Sequence, residues 1–276
     1  MKPQSMNQRW LKFVSELAML AVAIVFIVPV WMVFVNSIKT TAEANQFGIW
    51  LPSTYQLNNY VTIFRESNAF QAFLNGIYIA GIVGVMAVFV SSMASFFIAR
   101  SNARLSRFSY IYFISGLIIP VAIIPTYFAL ITMHLNNTYI GLILVFVTYT
   151  TPLSIFLYTG FMKTIPKELD EAAIVDGCNG FAMFFKVIFP LLGPVTMTVV
   201  VFNFVGVWND VMTFLYFANG DKWTLPMTVY SFFGKYSQNW NLVFADIMFT
   251  IIPCLLLFAI GQKYIVSGMT AGAVKG

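Results

Sequence analysis

The chain has 276 residues, of which 59% are hydrophobic and only 9% are charged. Soluble domains carry roughly 25% charged residues. This chain has too few charged residues to cover the surface of a soluble domain, so the composition excludes an ordinary soluble domain. The formal net charge of +5 is compatible with a nucleic-acid-binding protein, but the positions of the basic residues favour a membrane protein without a nucleic-acid partner.

Six apolar segments follow one another along the chain, and each reaches or approaches the roughly 20 residues that a helix needs to cross about 30 Å of hydrocarbon. These segments must be helical, because lipid offers no partner for backbone N–H and C=O groups. The sequence predicts an all-α integral membrane protein with six transmembrane helices. It forms a single domain over residues 1–276, with spans at approximately 14–35, 71–99, 108–131, 139–162, 191–213 and 243–265.

The first apolar segment also resembles a signal peptide, because basic residues precede it. It is long and lacks a small-residue cleavage site, which favours an uncleaved span. When the segments alternate between the two sides of the membrane, eleven of the 15 lysines and arginines share the side of the two termini. This positive-inside distribution predicts that both termini are cytoplasmic. Only four basic residues fall on the outer side, namely Lys39, Arg65, Lys222 and Lys235.

The chain has no sequence pattern for binding a nucleotide or a metal ion. It contains neither a P-loop nor a dinucleotide fingerprint, and no histidine–cysteine cluster has metal-ligand spacing. His134 is the only histidine. Cys178 lies in a loop and Cys254 within the sixth span, so we expect two free thiols.

One cytoplasmic loop, residues 163–190 between the fourth and fifth spans, has the pattern of two helices joined by a turn. Pro166 suits the first turn of a helix, where its missing N–H costs nothing, and three carboxylates follow near the positive end of the helix dipole. Gly177 can adopt the left-handed conformation that stops a helix. Asn179 can cap a second helix, which runs to Pro190.

The first helix of this loop has a narrow apolar face. Leu169, Ala172, Ala173 and Asp176 are spaced i, i+3, i+4 and i+7, so two small residues lie at the centre of the face. A solvated loop needs neither these alanines nor a glycine at a fixed place after them, whereas a helix that docks into a groove on another protein does. The pattern favours docking, and a solvated loop is the alternative.

The same residues resemble the EAA loop of binding-protein-dependent ABC importer permeases. In that pattern Glu171, Ala172 and Ala173 are followed by Gly177 and then by an apolar-Pro pair, here Phe189-Pro190. Four stretches look like the smaller, six-span subunit of the maltose and multiple-sugar branch. They are PKELDEAAIVDG, LNNTYIGLIL (Leu135–Leu144), VGVWND (Val205–Asp210) and the C-terminal GQKYIVSGMTAGAVKG.

The resemblance implies one half of a heterodimeric channel in a bacterial or archaeal cell membrane. The partners would be a second, homologous permease, two cytoplasmic ATPase subunits, an extracytoplasmic sugar-binding protein and an oligosaccharide. ATP and Mg²⁺ would bind to the ATPase subunits, so this chain would hold no cofactor and would not be an enzyme.

The resemblance also assigns residues to the ATPase contact. The loop would be the coupling helix, and its docking residues would be Glu171, Ala172, Ala173, Asp176 and Gly177. The C-terminal segment, small and flexible, would enter the ATPase interface through Thr270, Ala271 and Gly272.

Four residues are candidates for the substrate path: Trp208, Asn209, Asp210 and Asp246. Asp246 is the only carboxylate within the sixth apolar segment, where an acid is costly unless it is paired or faces water. One interpretation has Asp246 face the path and accept hydrogen bonds from sugar hydroxyls. The other places Asp246 just inside the outer interface, hydrated or paired with a lysine.

Two other functions are open. A permease of the same superfamily could carry a non-sugar solute, although the terminal TAGAVKG argues against it. A secondary transporter driven by an ion gradient usually needs buried ionisable groups as a relay and often has inverted repeats. The mid-span regions here lack charges, which disfavours that class.

Overall fold

The computed structural model describes residues 6–119, 121–232 and 239–273, which contain helices and loops and no β-strand. The helices, in chain order, are α1 (Met6–Ser37), α2 (Thr41–Ala44), α3 (Asn58–Glu66), α4 (Ala69–Arg100), α5 (Arg104–Ser115), α6 (Ile123–Thr132), α7 (Tyr139–Met162), α8 (Glu168–Val175), α9 (Gly180–Met183), α10 (Phe189–Leu191), α11 (Gly193–Asn209), α12 (Met212–Phe217), α13 (Leu225–Thr228) and α14 (Trp240–Ala273). The predicted all-α class is confirmed.

Four of the described helices are long and apolar enough to cross a membrane. They correspond to the predicted first, second, fourth and sixth spans, and the membrane-crossing segments are Lys12–Ser37, Ala69–Arg100, Tyr139–Met162 and Trp240–Gln262. A fifth crossing is possible if the bent pair Gly180–Leu191 and Gly193–Asn209 counts as one span. The total of six spans stays a prediction.

The predicted third span, 108–131, is not one helix. It is divided into α5 and α6, because the chain leaves the helix after Ser115 and re-enters it at Ile123. A proline at position 120, itself outside the described residues, cannot donate an N–H to a helical ladder and restricts the residue before it. Gly116 directly follows α5 and packs closely against α7. A Cβ added at Gly116 would lie 2.8 Å from Pro152 Cγ.

The predicted fifth span, 191–213, is also shorter than expected. α11 ends at Asn209 because Asp210 takes an extended conformation and accepts a 2.7 Å hydrogen bond from the Thr213 N–H, which caps α12. At its start, α11 makes an angle of 78° with the preceding helical segment Gly180–Leu191.

The chain forms two compact units. One consists of Met1–Ala69 and Thr228–Ile251. In this unit the Asn59 amide donates to the carbonyls of Ser37 and Lys39 and accepts from the Asn241 amide, at 2.9 Å each. Phe47 packs edge-on against Trp240, with 4.8 Å between ring centroids. These contacts hold the 36–69 segment, which contains the short helices α2 and α3, against the start of α14.

The other unit consists of Phe70–Met227 and Ile252–Gly276. Its described core involves α4, α7, α11 and α12 and contains two clusters of buried side chains. One includes Ile79, Phe146 and Phe214. The other includes Tyr158, Met162 and the second helical part of the 163–190 loop, through Phe184 and Ile188. The loop is thereby packed onto the ends of the long helices.

Candidate functional site

The first part of the 163–190 loop is the short helix α8, and Gly177 stops it as predicted. Gly177 has φ +79°, which a residue with a Cβ adopts only at a cost. Its N–H donates to the Ile174 carbonyl at 3.0 Å, and the next N–H, of Cys178, donates to the Ala173 carbonyl at 2.9 Å. This pair of bonds is a Schellman motif, and it satisfies carbonyls that the helix end would otherwise leave unpaired.

The second part of the loop begins at Asn179, whose side chain accepts a 2.9 Å hydrogen bond from the Ala182 N–H. The predicted N-cap is therefore confirmed. The helix opens into a π-helical segment over Phe184–Ile188 before Pro190. π-Helical turns are rare and occur frequently at functional sites. The predicted order of helix, glycine turn and second helix is confirmed.

The two alanines of the EAA sequence have different surroundings. Ala172 is exposed, whereas Ala173 is only 4% exposed and lies where α8 contacts the helix that follows it. Glu171, Asp176 and Gly177 are exposed. The sequence therefore correctly placed four candidate docking residues on the surface. Ala173 fits a packing position within the chain instead.

Two apolar residues that the sequence analysis did not single out complete the exposed surface of α8. Ile174 is 60% exposed and Val175 is 86% exposed. A soluble loop gains nothing from this exposure, while a partner that covers both side chains would remove their apolar surface from water. A signal was available, since two branched apolar residues stand directly before Asp176-Gly177, at the end of a short helix whose first turn carries three carboxylates.

An ion pair attaches α8 to the end of α4. Arg100 Nε lies 2.6 Å from Asp170 Oδ2, and Arg100 Nη2 donates to Asp170 Oδ1 at 3.2 Å. Arg100 Nη1 also donates to the Ile165 carbonyl at 3.1 Å. The side chains of the pair are only 12% and 15% exposed. Arginine–carboxylate pairs fix geometry as well as charge, so this pair holds α8 at the end of α4.

The three substrate-path candidates at the end of α11 do not form one surface. Trp208 is fully buried; its ring stacks on Phe204, with centroids 5.5 Å apart. Asn209 is exposed and donates to the Val205 carbonyl at 3.0 Å. Asp210 caps α12. In this conformation Trp208 is a packing residue, and only Asn209 has the exposure that a sugar contact requires.

Trp208 also explains why Gly76 is needed in α4. A Cβ built at Gly76 would lie 2.7 Å from Trp208 Cζ3, and the buried indole has no room to move. We expect Gly76→Ala to lower the free energy of unfolding by about 1–3 kcal/mol, the usual range for overpacking, measured by thermal unfolding in detergent. Gly81→Ala is the matched control, because nothing lies within 4 Å of that Cβ on the same helix. An equal effect at both positions would contradict the overpacking argument.

Asp246 is fully buried. Both of its carboxylate oxygens accept from the Thr228 hydroxyl, at 3.0 and 2.9 Å. No ion pair of Asp246 with a lysine or arginine occurs among the described residues. Asp246 is thus neither hydrated at an interface nor open to a path in this conformation, and a direct contact with a sugar stays a prediction that the geometry does not favour.

We expect Asp246→Asn to transport substrate normally per assembled complex, because an asparagine keeps the size and still offers one oxygen to Thr228. Transport should be measured across substrate concentrations and normalised to the amount of assembled protein. A loss of transport with assembly intact would restore the substrate-path interpretation of this residue.

The C-terminal candidates Thr270, Ala271 and Gly272 are part of helix α14, which continues to Ala273. The sequence predicts a small, flexible segment at these three residues, whereas the structure gives a helix. A contact of these residues with an ATPase stays a prediction.

The chain is similar to known transport proteins. Positions 91–270 match the family described as the binding-protein-dependent transport system inner membrane component. The match covers more than half of the chain and includes the whole 163–190 loop. The chain belongs to this family. It is a multi-pass permease of a transport system and not an enzyme, and the resemblance to ABC importer permeases is confirmed.

Relatives of similar length support the assignment. The probable starch degradation products transport system permease protein AmyC of Thermoanaerobacterium thermosulfurigenes is 31% identical, covering 96% of this chain and 97% of that protein. The melibiose/raffinose/stachyose import permease protein MelC of Bacillus subtilis (strain 168) is 31% identical, covering 92% and 94%. A chain from the crystal structure of a bacterial ABC transporter that imports alginate has a TM-score of 0.81 and 19% identity, covering 96% and 99%, and therefore shares the fold.

Proposed function

We propose that this chain is one permease subunit of an ABC importer for an oligosaccharide. It pairs with a second, homologous permease to enclose the translocation path, receives cargo from an extracytoplasmic sugar-binding protein, and rests on two cytoplasmic ATPase subunits that bind ATP and Mg²⁺. Both termini face the cytoplasm of a bacterial or archaeal cell. The names of the relatives support a sugar as the cargo class.

The observation that carries the proposal is the exposed apolar end of α8, held in place by the Gly177 turn and the Arg100–Asp170 pair. Helix-in-groove recognition uses such a surface. Ile174 and Val175 would enter a cleft on an ATPase subunit, beside Ala172, Glu171 and Asp176. Closure of the ATPase pair on ATP would then displace α8.

The displacement would reach the membrane by two routes. Asp170 would pull on Arg100 and hence on the end of α4. The second helix of the loop would pull on α11 through the 78° bend between them. Packed helices of this kind change between discrete arrangements, because close-packed interiors do not deform continuously.

The proposal is tested by expressing the chain with its neighbouring transport genes and reconstituting the purified assembly in proteoliposomes. We expect ATPase subunits to co-purify, and a sugar with its binding protein to stimulate ATP hydrolysis and uptake. Stimulation by a non-sugar solute alone would support the second candidate cargo class. Uptake by this chain alone, driven by an ion gradient, would contradict the proposal.

A truncation that removes residues 270–276 tests the proposed C-terminal contact in the same assembly. It removes no predicted span, so membrane insertion should survive. If Thr270, Ala271 and Gly272 contact the ATPase subunits, basal or stimulated hydrolysis should change. Unaltered hydrolysis by an intact assembly would mean that these residues make no functional contact.

A further inference from the structure

A polar cavity of about 510 Å³ lies where the end of α4, the start of α5 and the end of α7 meet. Hydroxyl, amide and cationic side chains form most of its wall, and no carboxylate contributes to it. The residues that matter for its chemistry are Ser101, Asn102, Ser106, Arg107, Tyr110 and Lys163.

The two cations of this cavity have no acidic partner within the described residues. Arg107 and Lys163 are both exposed, and neither occurs in an ion pair there. Lys163 Nζ lies 5.4 Å from the centre of the Tyr110 ring, which holds the ammonium group beside the cavity by a cation–π contact. The cavity therefore presents two positive charges that form no ion pair with a carboxylate of the described residues.

The backbone adds to this positive potential. α5 is 12 residues long, and Ala103 at its N-cap position provides no side-chain acceptor. The N–H groups of the first turn of a helix lack intrahelical partners and carry the positive end of the helix dipole. The start of α5 therefore reinforces the attraction of an anion to the two side chains.

The surface of α5 that follows the cavity is apolar. Along α5, Phe108 and Ile111 follow Arg107 and are 67% and 60% exposed. Exposed apolar side chains next to cationic side chains are typical of a protein surface at the boundary between the hydrocarbon and the headgroups of a lipid bilayer. Phosphate groups accept charge-assisted hydrogen bonds from arginine and lysine, and basic pockets between membrane helices bind acidic lipid headgroups.

We propose that this cavity binds the phosphate headgroup of an acidic phospholipid. Arg107 and Lys163 contact the phosphate oxygens, Ser101 and Asn102 contact the remaining headgroup atoms, and the acyl chains lie over Phe108 and Ile111. The bound lipid would join α5 to Lys163, which directly follows α7 and begins the 163–190 loop. This inference does not depend on the transported cargo.

The experiment measures lipid binding to the purified full-length chain by native mass spectrometry, with phosphatidylglycerol and phosphatidylcholine of identical acyl chains. We expect phosphatidylglycerol to bind at least about tenfold more tightly, since each cation near an anionic headgroup contributes several-fold. The double variant Arg107→Gln/Lys163→Gln should lose that preference. Arg107→Lys/Lys163→Arg, which keeps both charges, should retain it.

Arg104→Gln/Lys167→Gln is the matched control, because it removes two exposed cations outside the cavity and changes the net charge equally. Its preference for phosphatidylglycerol should match that of the unaltered chain. An equal loss in the control, or no loss in the cavity variant, would overturn the proposal. Gel filtration and the thermal unfolding midpoint confirm that each variant is folded.

A separate arm distinguishes a lipid from a free phosphate. Inorganic phosphate and glycerol 3-phosphate are added in excess to the lipid-bound chain. We expect neither to displace phosphatidylglycerol, because both lack the acyl chains that cover α5. Displacement by either at concentrations comparable to the lipid would assign the cavity to a soluble phosphate and overturn the lipid assignment.

Discussion

Gly177→Val is expected to leave the permease inserted and assembled but to reduce sugar-stimulated ATP hydrolysis and uptake about tenfold or more. Gly177 has φ +79°, a region that costs a β-branched residue on the order of 1–3 kcal/mol. The variant would relieve that strain by abandoning the two Schellman hydrogen bonds. The direction of the second helix of the loop would then change, and α8 would no longer present Ile174 and Val175 to an ATPase cleft.

Gly177→Asn is the matched control at the same position, because asparagine tolerates the left-handed conformation better than other residues with a side chain. Uptake by this variant should stay close to that of the unaltered permease. Membrane abundance and co-purified ATPase are measured for both variants. If valine and asparagine were equally active, the backbone conformation of Gly177 would have no part in coupling.

Arg100→Ala and Asp170→Ala are each expected to separate α8 from α4. Each leaves one partly buried charge without its partner, which costs roughly 3 kcal/mol for a buried pair. We expect a lower thermal unfolding midpoint and also less sugar transported per ATP hydrolysed, since ATPase movement would no longer reach α4. The second quantity distinguishes a coupling role from a purely stabilising one.

The double variant Arg100→Ala/Asp170→Ala completes a double-mutant cycle. Its loss of stability should be much smaller than the sum of the two single losses, because the two side chains act as one pair. Glu168→Ala is the control on the same helix, since Glu168 is exposed and has no ion pair among the described residues. Additive losses in the cycle would contradict the direct pairing.

Much of the structure of the 163–190 loop could be predicted from sequence because its signals are local. The left-handed glycine, the Asn179 cap and the order of two helices each depend on residues a few positions apart. The Arg100–Asp170 pair was not predicted, because its members are 70 residues apart and arginine at the end of a span is also expected from the positive-inside distribution alone.

Two of the predicted spans are not single continuous helices in the structure. Hydropathy over 108–131 is continuous, yet the chain breaks after Ser115, since proline at position 120 removes a backbone donor and Gly116 packs against Pro152. The end of α11 is likewise set by Asp210, which caps the next helix. Apolar composition reports the medium around a segment, whereas backbone hydrogen bonds decide where each helix ends.

Burial could not be predicted for the path candidates. Trp208 and Asp246 both look unusual in an apolar chain, and unusual residues suggest function. The structure gives each of them an internal partner instead, a stacked Phe204 ring for Trp208 and the Thr228 hydroxyl for Asp246. Only the tertiary fold identifies those partners.

Photo-crosslinking from the tip of α8 tests the proposed coupling most directly. A photoreactive phenylalanine analogue is placed at Val175, which is 86% exposed, and at Leu57, which is 66% exposed and lies far from α8 in the sequence. In membranes that contain the whole transport system, Val175 is predicted to crosslink to an ATPase subunit, with a yield that changes on adding ATP, and Leu57 is not. Absence of an ATPase adduct from Val175, or an equal yield from Leu57, would contradict the coupling role of this loop.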